Sequence, residues 1–257
     1  MLIDTHCHLD AAEFDADREA VAQAARQAVV SVIVVPAVER ANFGAVASVC
    51  REHPGCVAAY GIHPMFVARA REEDLDVLRE TIFREKPIAV GEIGLDRFVA
   101  ERDDAQQLYY FVEQLKIAQT VELPVLLHVR RAIDQVLQQL RRIGVRGGIA
   151  HAFNGSQQQA EEFIRLGFKL GFGGAMTFPR AHRIRKLAAM LPLSSIVLET
   201  DAPDMSPEWK VGARNTPGQL PRIAQTLALL REVPLSVIAE ATTANAIKVL
   251  PGLARLV

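Results

Sequence analysis

Short apolar runs recur along the chain, separated by longer segments that mix polar and apolar residues. Eight runs begin near residues 2, 31, 56, 87, 124, 147, 168 and 195: LIDTHCH, VSVIVVPA, CVAAYGIH, PIAVGEIG, PVLLHV, GGIAHAF, FKLGFGGA and SIVLET. Their apolar positions are nearly continuous rather than alternating, which is typical of strands buried on both faces. The spacing of roughly 20 to 40 residues matches one strand and one crossover helix per unit.

The segments between the runs carry helical patterns. Residues 15–29 are rich in alanine with acidic residues early, and residues 103–124 place apolar side chains at helical spacing before a proline. Residues 156–167 begin at a serine suited to cap a helix and end at a glycine, and residues 216–233 follow the eighth run. These signals predict helices that alternate with the strands.

Eight strand–helix units without an intervening linker predict an α/β fold. We expect a single domain over residues 1–257, folded as a distorted (β/α)8 TIM-type barrel. The 257 residues fit this size, since α/β barrels of about 250 residues form one domain. An open doubly wound sheet shows the same alternation, so periodicity favours the barrel without excluding the sheet.

Histidines and carboxylates gather where the predicted strands end. Five of the seven histidines stand at such ends: His6, His8, His63, His128 and His151. Glu92 lies in the fourth run, and Glu199 and Asp201 end the eighth. Because active sites of (β/α)8 barrels lie at the carboxyl ends of the strands, closing the barrel would bring these side chains to one face.

Each of these residues taken alone has a structural alternative. A buried histidine is often a hydrogen-bonded core residue, Glu92 could pair with Arg97 or Arg130, and Asp201 could belong to the turn before Pro203. Four histidines and two carboxylates that converge on one barrel mouth are better explained by a metal site, because buried carboxylates are costly unless they are paired or bound to a cation.

The ligand set predicts two metal ions rather than one. It comprises six side chains: His6, His8, Glu92, His128, His151 and Asp201. Six ligands are too many for one tetrahedral zinc with an open position. They suit two ions about 3.5–4 Å apart, bridged by a carboxylate and sharing a water. Nitrogen and oxygen ligands favour Zn, Mn, Co or Ni, with Mg a further alternative.

Cys7 stands between two of these ligands but is not expected to join them. Side chains two apart on a strand share a face, so His6 and His8 point one way and Cys7 the other. We expect Cys7 to be a small buried residue on the helix side of the barrel.

Composition narrows the classes of partner. The formal net charge of −1 supplies no overall basic field to attract nucleic acid, so any such contact must be local. An odd number of cysteines without CxxC spacing, and no basic-then-apolar start, predict a reduced protein of the cytoplasm. No apolar run is long enough to predict a membrane span, and no obligate protein partner is evident.

Seven motifs in order resemble the TatD-type metal-dependent deoxyribonucleases, a family of amidohydrolase-like barrels. The motifs are IDTHCHLD, YGIHP, VGEIGLD, LPVLLHVRRA, HAFNGS, LETDAP and RNTP. They span nearly the whole chain, and the similarity is strongest to bacterial members described only as uncharacterised metal-dependent hydrolases. The family usually has Cys and Ser where this chain has Ala152 and Asn154. The chain keeps Asn245 but lacks the Phe that usually follows it.

The resemblance implies a role for each ligand. His6 and His8 would bind the first metal, with Glu92 as the bridge, and His128 and His151 would hold the second. Asp201 would ligate the first metal and orient or deprotonate the attacking water.

Two further residues are expected to contact substrate. The resemblance implies that His63 faces the substrate phosphate. Arg130, two residues after His128, is placed to contact a phosphate or to pair with a carboxylate.

Several weaker signals concern nucleic acid. The segment 171–176 lacks the spacing of a phosphate loop and is expected to be a strand whose small residues leave room at the mouth. The basic segment 179–186 could contact a phosphate backbone or simply begin a solvated helix. Phe66, Phe153, Phe178 and Trp209 are the aromatic side chains expected to be available for stacking bases.

Three functions remain open at the level of the sequence. The first is a phosphodiesterase acting on DNA ends or single-stranded DNA through a metal-activated water. The second keeps the metals and hydrolyses a small amide, lactone or ester, because one fold hosts many reactions. The third is a metal-holding protein without catalytic activity, which the complete ligand set disfavours.

Overall fold

Eight parallel strands form one sheet in the computed structural model, which describes residues 1–256. The strands are β1 (Leu2–Asp4), β2 (Val30–Pro36), β3 (Cys56–Tyr60), β4 (Ala89–Asp96), β5 (Val125–Arg130), β6 (Gly148–Ala150), β7 (Phe168–Phe172) and β8 (Ile196–Leu198). Each pairs with the next in chain order. A doubly wound sheet would reverse its strand order partway, so the predicted barrel is confirmed.

The helices surround this sheet. They are α1 (Arg18–Gln27), α2 (Phe43–Glu52), α3 (Glu73–Glu85), α4 (Asp104–Thr120), α5 (Ile133–Ile143), α6 (Gln157–Arg165), α7 (His182–Met190), α8 (Leu220–Arg231) and α9 (Leu235–Val249). The four helices predicted from the sequence are α1, α4, α6 and α8, and two helices follow β8. Within residues 1–256, no helix has both the length and the apolar character that a membrane crossing requires.

Alternate residues of each strand face two different cores. Val32 and Val34 of β2 belong to the small cluster that fills the barrel interior. Ile33 and Val35, between them, belong to the larger cluster packed between barrel and helices. Cys7 is fully buried in this outer cluster, as predicted. The continuous apolar runs of the sequence thus reflect burial on both faces of each strand.

The barrel is closed beyond β1 and β8 by backbone hydrogen bonds. The N–H of Thr5 donates to Leu198 O at 3.0 Å, that of Asp201 to His6 O at 2.8 Å, and that of His8 to Ala202 O at 2.8 Å. These bonds place His6, His8 and Asp201, from opposite ends of the chain, beside one another.

The C-terminal segment closes the opposite end of the barrel. The side-chain amide of Asn245 in α9 donates to Leu193 O at 2.7 Å and to Ile196 O at 2.8 Å, at the start of β8. Leu250 and Leu253, both buried, join the interior cluster. The segment lies against Ile88, the residue before β4, so it plugs the amino ends of the strands and leaves the carboxyl ends free for the site.

Candidate metal centre

Glu92 lies at the middle of the site and presents its two carboxylate oxygens to two sets of histidines. The residue belongs to β4 and is 2% exposed. Its Oε2 lies 3.1 Å from His6 Nε2 and 3.6 Å from His8 Nε2. Its Oε1 lies 2.9 Å from His151 Nε2 and 3.0 Å from His128 Nδ1. One carboxylate therefore faces two separate groups of nitrogen ligands.

Asp201 completes the first group. Its Oδ1 lies 3.7 Å from His6 Nε2 and 3.6 Å from His8 Nε2. The backbone of Asp201 has a φ of +55°, in the left-handed region that Asp and Asn tolerate better than most residues. This conformation directs the side chain toward the histidines while the backbone N–H bonds to His6. Asp201 is 14% exposed, so its carboxylate reaches the barrel mouth.

His63 approaches the other oxygen of Glu92, with its Nε2 at 3.4 Å from Oε1. Its Nδ1 accepts a hydrogen bond from the backbone N–H of Met65 at 3.2 Å. Burial lowers the pKa of His63 to about 4, so the ring is neutral at pH 7. A neutral ring that accepts at Nδ1 carries its proton on Nε2. This nitrogen is a donor toward the site and has no lone pair for a metal.

Neighbouring side chains of the site also shift one another's pKa values. Burial would raise the pKa of Glu92, but the surrounding His63, His151, His6 and His128 hold it well below its ordinary range. Burial and the nearby His151 lower the pKa of His6 to about 3. Burial also acts to lower the pKa of His151, but the attraction of Glu92 prevails and raises it to about 10. These two rings stack with centroids 4.0 Å apart and cannot both be charged.

The donor set fits divalent metal ions. Histidine nitrogens and carboxylate oxygens form three overlapping groups, and within each group they lie within 4.8 Å of one another: His6 with Glu92 and His151, His6 with His8 and Asp201, and His63 with Glu92 and His128. In the third group, His63 presents its N–H rather than a lone pair. Further carboxylates, Asp4, Asp96 and Glu199, are buried around them. In the described part of the chain, none of these carboxylates pairs with a lysine or an arginine. Bound cations would offset the negative charge of Glu92 and Asp96, whose pKa values, despite burial, the surrounding histidines hold below their ordinary range.

Asp96 is a supporting residue that the sequence reasoning missed. Its Oδ2 lies 3.1 Å from His128 Nε2. Although burial acts to raise it, hydrogen bonds from His128 and two loop amides lower the pKa of Asp96 to about 2, so the carboxylate is ionised and His128 Nε2 donates to it. The Nδ1 lone pair of His128 is then directed at the site. The sequence could have indicated this residue, because Asp96 stands four residues after Glu92 and therefore on the same face of β4.

Glu199 supports the opposite side of the centre. Its Oε1 accepts the backbone N–H of Ala152 at 2.5 Å and lies 3.9 Å from His151 Nδ1. A Cβ at position 171 would lie 2.1 Å from Glu199 Oε2, so only glycine leaves space for this carboxylate. The expectation that residues 171–176 form a strand is wrong beyond Phe172, where β7 ends, because residues 174–177 turn into a short 3-10 helix. The expected room is present at position 171, where the Glu199 carboxylate occupies it.

Arg130 ends β5 at the surface beside the site. Its guanidinium carbon lies 3.7 Å from the centre of the Phe98 ring. Within residues 1–256, Arg130 has no carboxylate partner and Glu92 has no arginine partner, so neither structural alternative is seen. Arg97 instead pairs with Asp104 at 2.6 Å. A contact between Arg130 and a phosphate stays a prediction.

One expectation about nucleic acid contacts needs correction, whereas the basic segment 179–186 does lead into a helix, α7. Phe153 is buried and packs edge-on against Phe163, so it is not available for stacking. Phe98, which the sequence reasoning passed over, is exposed at the mouth. In the basic segment, Arg183 donates to Asn154 Oδ1 at 2.7 Å, which ties the start of α7 to the loop after β6.

Fold and ligand set together define the class of metal-dependent hydrolases with a barrel fold. The family model described as TatD related DNase matches residues 3–251. The uncharacterized metal-dependent hydrolase YjjV of Escherichia coli K12 is 43% identical over 246 residues, which cover 95% of either chain. Its crystal structure superposes with a TM-score of 0.94 at 42% identity and covers 97% of this chain and 98% of its own.

A human relative has a more specific name. Deoxyribonuclease TATDN3 of Homo sapiens is 31% identical over 268 residues, covering 99% of this chain and 96% of its own. The chain belongs to the TatD family. Because DNases hydrolyse ester bonds, membership makes the chain a metal-dependent hydrolase acting on ester bonds.

Proposed function

We propose that this protein is a phosphodiesterase that cleaves DNA at ends or in single strands, with two divalent ions. The observation that carries the proposal is the central position of Glu92, whose two oxygens face two groups of ligands. In the proposed division, His6, His8, Asp201 and Glu92 would hold the first ion. Glu92, His128 and His151 would hold the second.

Bound ions would lower the pKa of a shared water and stabilise the charge that develops on the phosphoryl oxygens. The protein's own groups position the reactants. Asp201, the most exposed carboxylate of the centre, holds the water at the mouth and accepts its proton. His63 donates from Nε2 to a phosphate oxygen, and Arg130 offers its guanidinium to the same phosphate group.

DNA as the substrate rests on the family description and on the name of the human relative. With a net charge of −1, the chain is not suited to grip long duplexes through the backbone. Substrates held locally, at an end or in a single strand, fit this charge better.

We further propose that residues 1–257 form one catalytic unit located in the cytoplasm. The family model runs from residue 3 to residue 251, so it includes every proposed ligand. The three cysteines, Cys7, Cys50 and Cys56, are free thiols, which suits a reducing compartment.

The test is hydrolysis of single-stranded DNA by wild-type protein and by the variants His128→Ala and Asp201→Ala. We expect activity with Mg, Mn, Zn or Ni in the wild type and a loss of at least about 100-fold in both variants, since each lacks a ligand. Metal analysis should give two ions per wild-type chain and fewer in each variant.

The matched control is His53→Gln. His53 is a buried histidine that contacts Glu19 and lies away from the centre, so this variant should retain both ions and full activity. Full activity in His128→Ala and Asp201→Ala would refute the site. Hydrolysis of small lactones or amides, with none of phosphodiesters, would refute the substrate class and leave the site intact.

A further inference from the structure

Phe98 is an exposed aromatic side chain beside the metal centre. It lies on the loop between β4 and α4, two residues after Asp96, and 47% of its surface is open to solvent. Two arginines from the end of β5 lie against its ring. The guanidinium carbon of Arg130 is 3.7 Å from the ring centroid and that of Arg131 is 4.6 Å away.

The two arginines carry charge that the protein does not neutralise. Both are exposed, and among residues 1–256 neither forms an ion pair with a carboxylate. Two nearby arginines do have a carboxylate partner, because Arg97 and Arg102 share Asp104 at 2.6 and 2.8 Å. The positive charge beside Phe98 is therefore free to meet an anion.

The same carboxylate that orients His128 also holds the loop of Phe98. Asp96 Oδ1 accepts the backbone N–H of Phe98 at 2.7 Å and that of Val99 at 3.3 Å, while Oδ2 accepts from His128. The N–H of Arg97 donates to Arg130 O at 2.8 Å and joins the loop to β5. The cluster is thus held at a set position relative to the centre.

We propose that Phe98, Arg130 and Arg131 form a subsite for the nucleotide next to the scissile phosphodiester, an inference that rests on the proposed function. The nucleobase stacks on the open surface of the Phe98 ring, and the guanidinium groups contact the adjoining phosphates. Aromatic and arginine side chains are the usual surface for unpaired bases. A base inside a duplex is already stacked on its neighbours, so the subsite selects single strands and frayed ends.

The experiment compares Phe98→Ala, Phe98→Trp and Arg131→Ala with the wild type. Binding of a fluorescent single-stranded oligonucleotide is measured beside hydrolysis of the oligonucleotide and of bis(4-nitrophenyl) phosphate, a small diester without a nucleobase. We expect Phe98→Ala to weaken oligonucleotide binding by about 5- to 150-fold, the range that corresponds to one stacked base. The ratio of kcat/KM for the oligonucleotide to that for the small diester should fall by a similar factor.

Additional comparisons separate stacking from other effects. Phe98→Trp should restore binding, because indole stacks at least as well as phenyl. With an oligonucleotide that lacks bases, wild type and Phe98→Ala should bind alike. Arg131→Ala should reduce the dependence of binding on salt concentration, because it removes a phosphate contact.

Two control variants match the tested residues. Phe83→Ala removes a phenylalanine that is 85% exposed on α3, and Arg102→Ala removes a loop arginine that is already paired with Asp104. Both should bind and hydrolyse like the wild type. Wild-type binding by Phe98→Ala and Arg131→Ala would overturn the subsite, whereas wild-type protein that hydrolyses no phosphodiester would overturn the proposed function.

Discussion

At the scale of single residues, hydrogen bonds to a second ring nitrogen set the direction in which His128 and His63 face the centre. A histidine can bind a metal only through a nitrogen without a proton, so its other nitrogen must hold the hydrogen. Asp96 meets this need for His128 by accepting from Nε2 at 3.1 Å. The backbone N–H of Met65 acts in the opposite sense on His63, because it bonds to Nδ1 and leaves the proton on Nε2.

The variant Asp96→Asn tests this role. An amide can present its NH2 group to His128 and favour the wrong tautomer, so we expect metal affinity or activity to fall by about 10- to 100-fold. Affinity is measured by competition with a chelator, and folding by circular dichroism. Asp104→Asn is the control, since Asp104 pairs with two arginines of the same loop. Equal metal affinity in both variants would contradict the role of Asp96.

At the scale of elements, the loops after the strands carry the site while the helices that follow anchor those loops. α6 shows how this is done. The Ser156 side chain accepts the backbone N–H of Gln159 at 3.2 Å, and the Gln159 side chain accepts the backbone N–H of Ser156 at 2.9 Å. This capping box ends the loop that begins at His151.

Ser156→Ala should therefore lower the free energy of unfolding by about 1 kcal/mol, as measured by urea denaturation. The loss reflects an unsatisfied amide in the first turn of α6, so the ligands of the centre should be unaffected. Ser31→Ala, at an exposed position of β2, is the control and should change stability by less than about 0.5 kcal/mol. If Ser156→Ala were as stable as Ser31→Ala, water would be satisfying the backbone amide of Gln159 and the predicted contribution of the cap would be wrong.

At the scale of the whole molecule, stability and chemistry are concentrated at opposite ends of the barrel. Leu250, after α9, is fully buried in the interior cluster at the amino ends of the strands. We expect Leu250→Ala to cost about 2–5 kcal/mol of stability by leaving a cavity. Activity per folded molecule should be retained, because the metal centre lies at the carboxyl ends.

This prediction is checked by comparing unfolding curves with activity well below the melting temperature. Leu229→Ala, on the exposed side of α8, is the control and should have little effect on either quantity. If Leu250→Ala lost activity while folded, the two ends of the barrel would have to be coupled.

Much of this architecture could be predicted from the pattern along the chain. The eight strands begin within two residues of the predicted positions, because burial on both faces requires continuous apolar runs that are visible locally. The candidate ligands could be selected from the sequence because active sites of (β/α)8 barrels lie at the carboxyl ends of the strands, and five of the seven histidines stand there.

The sequence by itself therefore determined the order of the elements and the side chains that could bind metal. Only the tertiary structure decided the barrel over the open sheet, through the unbroken strand order from β1 to β8. It also decided which nitrogen of each histidine faces Glu92, that Asp96 orients His128, and that Phe98 rather than Phe153 lies open at the mouth. These features depend on contacts between residues far apart in the chain and on side-chain directions, which local apolar periodicity does not encode.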